Sequence, residues 1–187
     1  MTTLNQTKMT AQKFLMLGED PPGVRLELIH GEIGVSPSPS FQHSYTDTKL
    51  RGLLDRYIEQ HDLGALVGDV DTIFGDENVR RPDIIFIAKS RLHLITGHGI
   101  PIPPDLCVEI LSPASTATDK IDKFQLYADH HVPNYWLVDP NAKTLQTFRL
   151  DHGIYHPDAQ GHDHDTLHAH PFPNLPLPLA QLWLPTP

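Results

Sequence analysis

The apolar positions of this chain change period several times, and each change marks an element. Thr10 stands before Phe14, Leu15 and Leu17, a spacing that predicts a short capped helix ended by Gly18 and the Asp20-Pro21-Pro22-Gly23 breaker. Val24, Leu26 and Leu28 then alternate with Arg25, Glu27 and Ile29. After His30-Gly31 a second extended run covers 32–35, so the pair reads as an N-terminal β-hairpin with Glu27 opposite its apolar face. The loop Ser36-Pro37-Ser38-Pro39 leads into residues 42–60, where Leu50, Leu53, Leu54, Tyr57 and Ile58 follow a helical period and His43 falls in the first turn.

Residues 63–74, with Gly64 and Gly68, read as a strand, and the turn 75–78 leads to a second strand over 79–88. An irregular crossing at 90–104 precedes a strand at 106–111. A helix begins near Asp119, capped by Ser115, Thr116 or Thr118 and limited by Pro133. Strands at 135–138 and 144–150 flank the turn Asp139-Pro140-Asn141. Strands interleaved with helices in this order predict an α/β fold, a mixed sheet flanked by helices. With 39% hydrophobic residues, the 187-residue chain has enough apolar mass for one domain over 1–187 with its core at about 10–150. Residues 151–187 read as an irregular His- and Pro-rich tail that docks back through Leu177, Leu179, Leu182, Trp183 and Leu184.

Two acids interrupt this apolar pattern. Asp83 precedes Ile84-Ile85-Phe86-Ile87, and Glu109 lies inside Leu106-Cys107-Val108-Glu109-Ile110-Leu111. A carboxylate among strand-forming apolar residues must be paired or must hold a metal. Two on consecutive strands ask for a cation, and a hard oxygen-ligated ion such as Mg2+ or Mn2+ fits best. The competing reading is that Asp83 caps the turn after Pro82 and Glu109 meets an arginine. On the following helix Asp122, Gln125 and Asp129 share a polar arc. Lys120 and Lys123 both lie off that arc, so periodicity leaves either lysine able to turn toward the strand ends.

The residues TAQKFLML, RLELIHGEIGVSPSPSFQH, VRRPDIIFI, VEILSP, the spacing Asp119, Lys123, Tyr127, and VPNYWLVDP together resemble the Uma2 family of endonucleases, within the PD-(D/E)XK nuclease superfamily. The resemblance covers nearly the whole chain. It implies a restriction-endonuclease-like fold and metal-dependent hydrolysis of DNA phosphodiester bonds. Carried over position by position, it implies Asp83 and Glu109 as metal ligands, with Lys123 and Glu27 completing the catalytic set. It implies supporting roles for His43, at the start of the long helix, and for Asp119 and Tyr127 beside Lys123. The chain departs from the superfamily pattern at Leu111, where a lysine would stand two residues after Glu109; the resemblance implies Lys123 as the displaced equivalent.

The formal charge of −9 weighs against strong duplex binding and predicts weak or non-specific DNA affinity. Arg80, Arg81, Lys89 and Arg91 are expected to form a local basic strip. Cutting both strands of a duplex implies a homodimer. The start MTTLNQTKMT has no signal-peptide pattern and no apolar run is long enough to span a bilayer, so the expectation is a cytoplasmic protein without membrane contact. Cys107 lies in a predicted core strand and is the sole cysteine, which excludes an internal disulfide. Two other readings remain: a catalytically silent nucleic-acid-binding or assembly module, and a metal-handling protein using His152, His156, His162, His164, His168 and His170.

Overall fold

Where the chain passes through Arg81, Pro82 and Asp83 it leaves one sheet and enters another, and the candidate acids sit at that crossing. The computed structural model describes residues 8–36, 38–95, 97, 99–112 and 117–185, with the side chains of 117–119 outside that description. In chain order the elements begin with α1 (Ala11–Leu15), β1 (Arg25–Ile29), β2 (Glu32–Ser36), α2 (Phe41–Gln60), β3 (Gly64–Val67), β4 (Thr72–Ile73), β5 (Val79–Arg80) and β6 (Ile84–Ala88). They continue with β7 (Leu106–Ile110), α3 (Ala117–Asp129), β8 (Asn134–Asp139), β9 (Thr144–Asp151), β10 (Ile154–His162), β11 (Thr166–Ala169) and β12 (Phe172–Pro178). The predicted α/β class, mixed sheets flanked by helices with an N-terminal hairpin, is the observed one.

The sheets run β2-β1-β5-β4, β10-β9-β8-β7-β6-β3 and β11-β12. In the six-stranded sheet β7 and β8 are parallel, joined through α3, and the other pairs are antiparallel. Successive side chains of a strand point to opposite faces, and here that period sorts the core. Ile84, Phe86, Leu106 and Val108 pack with Leu50, Leu54 and Ile58 of α2. Ile85, Ile87 and Cys107 pack with Leu126, Tyr127 and Ala128 of α3. The two long helices therefore cover opposite faces, and Glu109, in phase with Cys107, must face α3.

Three stretches differ from the sequence reading. Residues 63–74 are two strands, because Asp69 adopts φ 63 between them and turns the chain out of the large sheet. The strand read at 79–88 is broken: Pro82 has no N–H to donate, and the Arg81 N–H goes to the Glu27 carboxylate at 2.8 Å. Residues 154–178, read as an irregular tail, form three strands. Their inward positions Leu167, Ala169, Phe172, Leu175 and Leu177 are buried with α2, while exposed His, Asp and Pro positions between them mask the alternation. The helix α3 starts at Ala117; the proposed caps Ser115 and Thr116 lie outside the described residues, as does the Thr118 side chain. No described helix is long and apolar enough to cross a membrane.

Gly68 is where the exit of β3 passes the sheet crossing. A Cβ there would lie 2.0 Å from the Asp83 carbonyl oxygen and 2.5 Å from Arg51 Nη1. Gly68→Ala is expected to cost about 1–3 kcal/mol, the usual penalty for overpacking, read as a lower urea midpoint. An unchanged midpoint would show that the approach is not tight.

Candidate active site

The register of β6 and β7 pairs Ile84 with Val108. Continued by one residue, it sets Asp83 beside Glu109, both in phase with the face that α3 covers. A cleft of about 210 Å³ opens there, lined by residues that include Glu27, His43, Asp83, Glu109, Lys120 and Lys123. Two carboxylates are thus brought side by side where two interior strands of an apolar sheet meet the cleft.

Glu109 is only 6% exposed. Its Oε2 accepts from Lys123 Nζ at 2.8 Å and its Oε1 from the Tyr127 hydroxyl at 2.5 Å. Lys123 and Tyr127 are one turn apart on α3, so the helix presents both donors together. Burial is the largest influence on Glu109 and pushes its carboxyl up; the Lys123 charge opposes this, the Asp83 charge adds to it, and the balance lies at about 7. Burial also pushes Asp83 up, but the hydrogen bond and charge of His43, the Ile110 N–H at 2.7 Å and the Lys123 charge outweigh it and hold Asp83 below its ordinary range. The neighbours divide their protonation: Asp83 stays ionised while Glu109 titrates near neutrality.

His43 enters from the first turn of α2, whose Ser40 cap accepts the His43 N–H at 3.2 Å. Its Nε2 lies 3.2 Å from Asp83 Oδ2. Burial acts on the imidazole most strongly and downward, yet the hydrogen bond and charge of Asp83, with Asp47 and Glu109 adding, raise it overall. The backbone of Asp83 is fixed as well: Arg51, in a two-point contact with Asp47, donates to the Asp83 carbonyl at 2.8 Å.

Glu27 lines the cleft with its carboxylate engaged by the protein. It accepts from the Arg81 N–H at 2.8 Å and Ser36 Oγ at 3.2 Å, with Arg80 Nη1 at 3.6 Å. Leu111, where the superfamily pattern has lysine, lines the cleft and contributes no charge. The backbone of Asp119 lies in α3, with its side chain outside the described residues. Of the sequence-selected residues, Asp83, Glu109, Lys123, Tyr127, His43 and Glu27 gather at this one site.

The expected basic strip does not form. Arg80 is 1% exposed and bridges Glu27 and Asp122. Arg81 pairs with Asp20 and Asp71, Lys89 with Asp62, and Arg91 with Asp105. The pairing of Arg80 with Asp122, placed by the sequence reading on a basic strip and a polar arc, escaped that reading, as did Arg51. Only the i, i+4 spacing of Asp47 and Arg51 could have signalled one of them.

Among the described residues no group of three or more His, Cys, Asp or Glu side chains is arranged to hold a metal ion, the histidines of β10 and β11 included. His170 instead contacts Asp158 at 3.1 Å and His162 contacts its neighbour Asp163 at 3.4 Å. The pair Asp83 and Glu109 still suits a hard cation that keeps most of its waters. Asp83 Oδ1 takes no hydrogen bond from a described residue.

The Uma2 family model, described as "Putative restriction endonuclease", matches residues 11–180. A crystal structure from Anabaena variabilis ATCC 29413, described as a putative nuclease belonging to DUF820, superposes with TM-score 0.76 at 23% identity, covering 93% of this chain and 97% of that one. The comparison with curated proteins finds no match.

In the metal-free protein Glu109 should titrate near 7, followed by carboxyl carbon NMR. Lys123→Met should move it up by removing a favourable charge, and Asp83→Asn should move it down by removing a like one. Between the ordinary value of 4.5 and about 7 the folded state alone holds the Glu109 proton, so this group's contribution to stability falls as pH rises through that window. Titration at 4.5 in the wild type would mean that water reaches the carboxylate.

Proposed function

The chain belongs to the Uma2 family, and on that premise we propose that its cleft hydrolyses DNA phosphodiester bonds in a metal-dependent reaction. The observation that carries the reading is the grouping of Asp83 and Glu109 on one sheet face with the Lys123 ammonium 2.8 Å from Glu109. Asp83 and Glu109 would hold Mg2+ or Mn2+, which when bound polarises the scissile phosphate and makes a water more acidic. Lys123 aims a positive charge at the oxygens that gain charge as the phosphorus becomes five-coordinate. Tyr127 fixes the second oxygen of Glu109 and so its orientation. His43 keeps Asp83 ionised, and Glu27 steadies the chain crossing through the Arg81 N–H. Attack by water forms one P–O bond as another breaks, leaving a phosphate monoester and a hydroxyl that takes up the proton. Cutting both strands of a duplex calls for two copies about the DNA axis.

One observation favours a second reading, a silent nucleic-acid-binding or assembly module. Both oxygens of Glu109 are already satisfied by the protein's own donors, so the site is stable without a cation.

The deciding experiment incubates the protein with supercoiled, linear and single-stranded DNA in Mg2+ or Mn2+ at low salt, beside Asp83→Asn, Glu109→Gln and Lys123→Met. Glutamine is chosen because alanine would leave the buried Tyr127 hydroxyl without its acceptor. Wild-type cleavage should stop on chelation and return with metal, and each variant should lose about a hundredfold or more in rate. Full activity in Lys123→Met and Glu109→Gln would overturn the site. A wild type that cuts nothing, yet binds metal by calorimetry in a manner lost in Asp83→Asn, would select the binding module.

A further inference from the structure

Among the described residues, the ionic partners within the cleft leave one cation over. Glu109 is answered by Lys123, Asp83 by His43, Glu27 by Arg80, Arg81 by Asp20 and Asp71, and Arg25 by Asp69. Lys120 also lines the cleft, half-buried on α3, and neither donates a hydrogen bond to nor forms an ion pair with a described residue. In a chain with 23 acidic and 14 basic residues, a cleft ammonium without a carboxylate among the described residues is the unexpected case. Desolvation without a counter-charge is unfavourable, and an anion arriving in the cleft would relieve it.

The position of Lys120 says which anion. It lies three residues before Lys123, so the two Cβ atoms stand about 5–6 Å apart on one wall of the helix. Lys123 is turned to Glu109 and the reacting centre, and Lys120 stands one turn back along α3, toward its N-terminal end. A nucleic-acid strand laid along this wall presents one phosphate to Lys123 and the next to Lys120. An isolated phosphate or a mononucleotide would engage only one of them.

We infer that Lys120 forms a second phosphate subsite, holding the phosphate adjacent to the scissile one, so that the cleft selects a polynucleotide strand over a single nucleotide. This rests on the reading that the cleft takes a nucleic-acid strand, and it assigns to Lys120 binding and not chemistry. A lysine acting on a phosphate of the backbone carries no base preference, so the subsite is indifferent to sequence.

Binding of a short single-stranded DNA oligonucleotide, measured by fluorescence anisotropy in Ca2+ over a series of KCl concentrations, tests this without turnover. Each neutralised phosphate of a single strand contributes about 0.7 to the slope of log affinity against log salt. Lys120→Ala should lose about that much slope, and Lys120→Arg should retain it. Lys49→Ala, which removes the same charge from the exposed face of α2 where Lys49 lies over the Tyr45 ring, should leave the slope as in the wild type. In Mg2+ or Mn2+, Lys120→Ala should raise KM about tenfold and leave kcat near the wild-type value. An unchanged slope in Lys120→Ala, an equal loss in Lys49→Ala, or no measurable binding by the wild type overturns the subsite. A Lys120-dependent slope in a protein that cuts no DNA supports the subsite and removes the nuclease reading instead.

Discussion

A carboxylate placed in the middle of a buried strand governs much of this structure. Strand periodicity sends Glu109 to the face that α3 covers, and an ionisable group so removed from water needs donors. Lys123 and Tyr127 supply them from a single turn of helix, so the contact that satisfies the acid also fixes how α3 lies on the sheet. The arrangement is a compromise: burial and Asp83 keep Glu109 near the middle of its titration, where a modest electrostatic change alters its charge.

The second organising feature is the break between β5 and β6. Pro82 cannot extend the ladder, and the groups freed there are taken up individually: the Arg81 N–H by Glu27, the Asp83 carbonyl by Arg51, and the Pro82 carbonyl by the Asp69 N–H at 3.2 Å. Asp83 is held through its backbone as well as through its side chain. Buried Arg80, joining Glu27 to Asp122, ties the same crossing to α3, so the small sheet and the helix bearing Lys123 are positioned together.

Long periodic stretches were legible in the sequence. The spacing of Leu50, Leu54 and Ile58 announced α2, and the unusual setting of Asp83 and Glu109 announced two acids needing partners. The choice of Lys123 over Lys120 was not legible from periodicity, because both leave the polar arc and only the packed helix decides which reaches Glu109. Arg80 gave no signal either: in a two-residue strand there is no alternation to read, and an arginine among arginines looks like surface. The C-terminal strands were hidden because their outward positions carry histidine and proline, residues that speak for loops when their inward partners are ignored.

Those last strands also set an order in time. The apolar side of α2, the helix that carries His43, is closed by Leu177, Leu179, Leu182 and Trp183, and Thr46 Oγ1 donates to the Leu182 carbonyl at 3.0 Å. As the chain leaves a ribosome, α2, β6 and β7 emerge well before the residues that cover them. The wall bearing His43 acquires its full seat only once the residues through Trp183 have emerged, so the candidate site is completed later than the strands that carry its two acids.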